Sequence, residues 1–244
     1  MPPLTLASIF ALAALLHGVA GIGFPLVLTA ILSLSLSMKE TVVLSALPIL
    51  LVNLISMFGG GALLPILRRY APLAAAATLG SFAGVKLLLI LPSAWLQCLL
   101  SLLIALYILC ARRNIVLAMP NTLSFTLAYG LFAGIIGGAT NAMSSVLMMY
   151  LLALSQDKNE IAQAANLCFG LAKIVQIALL WHEIIALPHI AATLLLPTLA
   201  AVAALLCGIR LRKRMPFALF RRLSLGILAL LALMMFGKSL AHLL

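Results

Sequence analysis

Apolar residues fall along this chain in long unbroken blocks. They show neither the alternation of a half-buried strand nor the narrow stripe of a surface helix. The blocks cover about 4–36, 41–58, 70–91, 93–110, 122–154, 161–181, 187–209 and 223–241. Between them stand Lys39-Glu40, Gly59-Gly60-Gly61, Arg68-Arg69, Pro92, Arg112-Arg113, Asp157-Lys158 and a basic stretch over 210–222. A hydrocarbon layer about 30 Å thick takes a helix of roughly 20 apolar residues. Inside it every backbone N–H and C=O must be satisfied within the protein. The pattern therefore predicts an all-α integral membrane protein with about eight hydrophobic segments.

Composition agrees: 66% of the 244 residues are hydrophobic and 8% are charged, against roughly 25% charged in soluble domains. The formal net charge of +11 does not indicate nucleic acid, because the basic residues sit between apolar blocks rather than along one polar face. No basic region precedes the first block, which predicts that it belongs to the mature fold rather than to a cleaved leader. Cys98, Cys110, Cys168 and Cys207 lie in apolar stretches without metal or redox spacing, so they read as small buried apolar residues.

Two blocks are too long for one crossing. Residues 4–36 and 122–154 would each make a helix of about 50 Å at 1.5 Å per residue, and each is interrupted by glycines. The first carries Gly18, Gly21 and Gly23 before Phe24-Pro25; the second carries Gly130, Gly134, Gly137 and Gly138 before Ala139-Thr140-Asn141. Ala20-Gly21-Ile22 matches Ala133-Gly134-Ile135, Lys39-Glu40 matches the Lys158–Glu160 region, and Gly84-Val85-Lys86 matches Gly208-Ile209-Arg210. The chain reads as two homologous repeats, 1–110 and 122–244, joined by a basic loop at 111–121. Each repeat is a glycine-broken, re-entrant hairpin plus three transmembrane helices.

Charge separates this arrangement from eight single crossings. With re-entrant hairpins, Arg68, Arg69, Arg112, Arg113, Lys158 and the basic residues of 210–222 share one side, and only Lys39, Lys86 and Lys238 face the other. Eight single crossings split the basic residues more evenly. Basic loops stay cytoplasmic, so the re-entrant reading is preferred: an inverted repeat in the cell membrane with its basic loops cytoplasmic.

Paired, interrupted segments in two halves point to a transporter's binding site. A break exposes backbone N–H groups at the start of the next half-helix, and these attract anions. The candidate substrate-binding residues at the breaks are Gly18, Gly21, Gly23, Phe24 and Pro25, then Gly134, Gly137, Gly138, Thr140 and Asn141. The competing reading of the glycines is close helix packing. Lys173 falls near mid-depth in its segment, where an ionisable side chain is costly and marks function by default. Its counterpart in the first half is Asn53, and Asn166 shares its helix face, seven residues away. The acidic residues Glu40, Asp157, Glu160 and Glu183 all fall at segment ends, which argues against cation transport. His17 reads as a structural hydrogen-bonder. No nucleophile, zinc or P-loop motif is present, so neither enzyme chemistry, metal nor cofactor is expected. The implied partners are a small anion, the bilayer and a coupling proton or ion; a homo-oligomer is compatible with the pattern. The rival from another class is a non-transporting membrane scaffold or assembly factor.

At these residues the chain resembles the sulfite exporter TauE/SafE family of permeases. That family's repeat opens on a glycine-rich break followed by proline, continues through a Lys-Glu turn, and ends on G-x-x-x-G, a small residue and a basic one. Here the first copy has Gly21-Ile22-Gly23-Phe24-Pro25, Lys39-Glu40-Thr41 and Gly80 to Gly84-Val85-Lys86. The second has Gly134-Ile135-Ile136-Gly137-Gly138, Lys158-Asn159-Glu160 and Gly208-Ile209-Arg210. Phe24 stands where the pattern has glycine, and the second break lacks the proline. The resemblance implies a permease for sulfite, sulfonates or other small sulfur-containing anions.

Overall fold

The computed structural model describes residues 3–20, 23–33, 35–59, 61–96, 119–187 and 190–214, with isolated positions elsewhere. The apolar blocks 93–110 and 223–241 and the basic loop 111–121 lie mainly outside the described residues. Among the described residues all regular structure is helical. The helices are α1 (Pro3–Ala20), α2 (Phe24–Leu32), α3 (Met38–Phe58), α4 (Leu63–Ile90), α5 (Leu123–Thr140), α6 (Met143–Leu154), α7 (Lys158–Leu179), α8 (Trp181–Ile185) and α9 (Ile190–Lys213). Five described stretches are long and apolar enough to cross a membrane: Met38–Phe58, Leu63–Ile90, Leu123–Thr140, Lys158–Leu179 and Thr193–Arg212.

Local chemistry sets the helix starts. Ser37 and Glu40 close a reciprocal capping box on α3, Thr122 accepts from Phe125 N–H on α5, and Asp157 accepts from Asn159 N–H on α7. Each satisfies a backbone donor that the first turn leaves unpaired. Two expected boundaries move. Arg68-Arg69 lie inside α4 rather than before it, and α9 runs through Arg210 to Lys213, because a basic residue is a good helix former and ends nothing by itself.

The second break also moves. The sequence placed it at Gly134–Gly138, but α5 continues to Thr140 and the chain turns at Asn141 and Ala142. The glycines instead form a packing face. A Cβ on Gly130 would meet Leu73 O and Ala77 N, one on Gly134 would meet Ala77 O, and one on Gly138 would meet Ser81 O and Val85 N. The partner numbers rise together, so α4 and α5 run parallel, with Gly80 and Gly84 of α4 set against Leu131 O and Ile135 O. Lipid supplies no hydrophobic drive between helices, so close backbone packing through small residues takes its place. Gly18 and Gly208 make the corresponding contact between α1 and α9.

After the turn, α6 runs back along α5. Thr126 Oγ1 lies 2.6 Å from Tyr150 Oη, Tyr129 Oη donates to Val146 O at 2.8 Å, and the rings of Tyr129 and Tyr150 stack. Arg69, near the start of α4, reaches both Leu154 O at the end of α6 (3.3 Å) and Glu160 at the start of α7 (2.6 Å). Both ends of the α5–α6 hairpin therefore lie level with the start of α4. At the far ends, Lys39 of α3 pairs with Glu183 of α8 at 3.3 Å.

α7 sits at the centre, packed on α3 and α4, and it is far more buried than Thr193–Arg212 of α9. The outer faces carry exposed leucines such as Leu4, Leu79, Leu195 and Leu199, an apolar surface that suits lipid. Cys168 is buried as expected, whereas Cys207 is exposed on that outer face; Cys98 and Cys110 lie outside the described residues.

Candidate functional site

The turn between α5 and α6 centres on Asn141. It has φ 60°, the one described non-glycine residue with positive φ, and its N–H bonds Gly137 O at 2.9 Å. Asparagine tolerates this left-handed conformation better than most residues, and its amide remains free to bridge. Nδ2 donates to Thr29 Oγ1 of α2 (3.1 Å) and Ser45 Oγ of α3 (3.3 Å), while Oδ1 accepts from Lys173 Nζ of α7 (2.7 Å). One residue thus ties the tip of the second hairpin to the first and to the buried cation.

Lys173 is 6% exposed. Its ammonium also donates to Gln176 Oε1, and Gln176 Nε2 donates in turn to Gly138 O at 2.9 Å. An ammonium has three N–H donors, and these contacts use two. Neither described ion pair involves Lys173, so its charge has no carboxylate partner among the described residues.

A small cavity opens beside this group. Asn53, Asn141, Ser144, Lys173, Gln176 and Ser81 supply its polar wall, and Pro25, Gly137, Met143, Phe169 and Ala172 its apolar wall. The space open to the centre of a water molecule is about 20 Å³, room for about one water. Both amide atoms of Asn53 and the Ser144 hydroxyl are buried without a hydrogen-bond partner. Ser144 and Met143 also begin α6, whose N-terminus has no side-chain cap and so presents the positive end of the helix dipole to the cavity. The wall combines a cation, neutral donors and no carboxylate, which is the chemistry of an anion site.

The sequence candidates separate by position. Pro25, Asn53, Gly137, Asn141 and Lys173 line the cavity, and Gly138 touches it through its carbonyl on Gln176. Gly18 and Gly134 face neighbouring helix backbones. Thr140 Oγ1 donates back to Ile136 O at 2.7 Å. Gly23, with φ 109°, starts α2, but the first break offers less to an anion than expected. Phe24 N–H donates to His17 Nδ1 at 3.1 Å, and Pro25 has no N–H. Gly21 lies outside the described residues. Asn166 does not line the cavity; it lies beside the His17 ring. Ser81 was not among the candidates. Gln176 follows Lys173 by one turn, a spacing that brings it to the same face, whereas Ser81 is hidden among packing glycines.

A sequence profile of the sulfite exporter TauE/SafE family matches residues 6–235. The chain belongs to that family. No curated protein and no solved structure matches it. Membership makes the chain a multi-pass membrane permease for sulfite- or anion-type substrates, in a family of transporters rather than enzymes. The TauE/SafE match takes in both hairpins, the packing glycines and every residue of the cavity wall.

Proposed function

We propose that the chain is a secondary transporter that carries sulfite, a sulfonate or a related sulfur-containing anion across the cell membrane by alternating access, driven by a coupling proton or ion. The observation that carries this reading is Lys173: a buried ammonium with a donor to spare, beside the unpartnered Asn53 amide and Ser144 hydroxyl. An oxyanion would accept from each of these donors, and charge-assisted bonds to it would be the strongest in the site. The cavity is too small here for a three-oxygen anion, so this conformation is contracted, and the hairpin tips part to load.

The same reading makes the halves an inverted repeat, 1–110 and 122–244. Pro3 and Leu123, Met38 and Lys158, Gly18 and Gly138, and Asn53 and Lys173 are each 120 positions apart, a more regular register than the one the glycines suggested. Gly18 and Gly138 each meet the long helix of the other half. In this reading both long blocks are re-entrant, with the α5–α6 hairpin entering from the cytoplasmic side, where Arg68, Arg69, Arg112 and Lys158 lie, and α1–α2 from the other.

Sulfite flux into proteoliposomes tests it. Wild-type protein should carry sulfite, Lys173→Gln should lose at least tenfold of the rate, and Lys86→Gln, which changes an outward-facing lysine, should not. Equal rates for the two variants would remove Lys173 from the site.

A further inference from the structure

The helix face that carries Asn53 continues one turn to Ser56, and there a second polar group begins. Ser56 Oγ lies 2.9 Å from His17 Nε2. Phe24 N–H donates to Nδ1, so Nδ1 is the acceptor nitrogen and Nε2–H donates to Ser56. His17 is thereby fixed as the neutral tautomer. Asn166 lies beside the ring, and the Arg212 charge is near enough to act on it. Arg212 lies one turn beyond Gly208, the residue that packs on Gly18. Among the described residues it is the largest fully buried side chain, and none of its three guanidinium nitrogens has a hydrogen-bond partner. Lys158 Nζ donates to its backbone carbonyl at 3.2 Å, which adds further positive charge nearby. The described carboxylates are engaged elsewhere: Glu40 with Ser37 N–H, Asp157 with Asn159 N–H, Glu160 with Arg69, Tyr70 and Ser155, and Glu183 with Lys39.

A buried guanidinium without a counter-charge is among the least favourable arrangements a protein can hold. Its planar fork is shaped for an oxyanion. We infer that Arg212, next to the neutral His17–Ser56 pair and Asn166, forms a second site for a small oxyanion, one stop along α3 and α7 from the Lys173 cavity. Asn53, between the two and with both amide atoms unsatisfied, is the bridge. The anion passes between two separate cations, so neither needs to hold it tightly. The inference rests on the transporter reading only for its choice of probe, and it makes Arg212 a binding residue rather than one more charge of a basic loop.

Sulfite binding to purified protein in detergent, under argon, tests it. Wild type should bind a second equivalent per chain that Arg212→Gln loses and Lys173→Gln keeps. Arg212→Met guards against a folding artefact. With gluconate as the only anion it should melt at or above the wild-type temperature, since it removes an uncompensated charge, and its sulfite-induced rise in Tm should be smaller. If Arg212→Gln binds as many equivalents as wild type, or if Arg212→Met melts lower in gluconate and keeps the full sulfite response, the second site is overturned and the Lys173 reading stands. If the Arg212-dependent equivalent remains while Lys173→Gln binds no less than wild type, the second site stands and the Lys173 reading falls. If added phosphatidylglycerol, and not sulfite, gives the Arg212-dependent rise, the group holds a lipid headgroup and the inference is overturned.

Discussion

Gly134→Ala separates packing glycines from ligand glycines. The added Cβ would lie 2.0 Å from Ala77 O and 2.8 Å from Ala77 C, where ordinary contact begins at 3.4 Å. The obstacle is backbone, so no rotamer relieves it, and α4 and α5 must part locally by about 1.4 Å (3.4 less 2.0). A gap of 0.5–1 Å already forfeits a quarter to a half of the dispersion energy of the contacts it opens. Overpacking of this kind typically costs about 1–3 kcal/mol, occasionally more, against which alanine recovers up to about 1 kcal/mol of helix propensity. Gly170→Ala is the control: it lies in α7 with no atom within 4 Å of the added Cβ and φ in the ordinary range, so it should be neutral or stabilising by up to about 1 kcal/mol. Reversible unfolding in mixed micelles reads both. Transport by Gly134→Ala should fall as well, because α5 carries Asn141 at its end. A Gly134→Ala protein within about 0.5 kcal/mol of wild type, the ordinary range for innocuous substitutions, would refute close packing of α4 on α5.

Other outcomes follow from the same geometry. Asn141→Gly keeps the left-handed turn and removes the bridge, so sulfite flux should collapse; Asn141→Ala should be less stable than Asn141→Gly by about 1–2 kcal/mol of backbone strain, read by the same unfolding assay. Cysteines introduced at positions 69 and 158 should be labelled by an impermeant thiol reagent from one face of the membrane, and a cysteine at position 39 from the other; labelling of 69 and 158 from opposite faces restores eight single crossings and contradicts the inverted arrangement. The Glu183 carboxyl is held below the usual carboxylate range by its own backbone N–H and by Lys39. A depressed carboxyl contributes stability above its unfolded value and loses it as pH falls through the folded one. Lys39→Ala should therefore lower stability slightly at pH 7, by less than about 1 kcal/mol for an exposed pair, and the difference should vanish as pH falls through the depressed folded value of Glu183.

Much of this was legible in the sequence, for physical reasons that also explain the misses. Long apolar blocks have one solution in lipid, so the helical membrane class follows from composition. Lys173 and Asn53 stand out because a polar group at mid-depth is expensive wherever it is placed. The glycines misled because two demands select the same residue. Close helix approach and an open break both need a missing Cβ, and spacing alone does not tell them apart. The period of four through Gly130, Gly134 and Gly138 was the signal for packing, since those positions share one helix face, whereas a turn has no such period. Arg212 was hidden for a related reason. Within a basic stretch, only its four-residue spacing from Gly208 places it on the inward face.

The two breaks, alike in sequence, take different roles at the site. In the first, His17 takes the leading N–H of α2 and proline supplies none, so that turn is satisfied by the protein itself. In the second, α6 begins uncapped, Asn141 carries the turn, and its amide spans both hairpins to reach Lys173. A binding group that must release its ligand cannot be satisfied equally well without it by fixed bonds, nor can it be left wholly bare. Lys173 meets both conditions: its two neutral partners disperse the charge without cancelling it, and a third donor remains. Replacing either partner with a carboxylate would neutralise the ammonium permanently. Asn141→Asp should therefore bind sulfite more weakly than Asn141→Gly despite keeping the shape of the side chain. If Asn141→Asp binds sulfite as wild type does, the charge of Lys173 does not hold the anion, and the site works by shape and neutral hydrogen bonds alone.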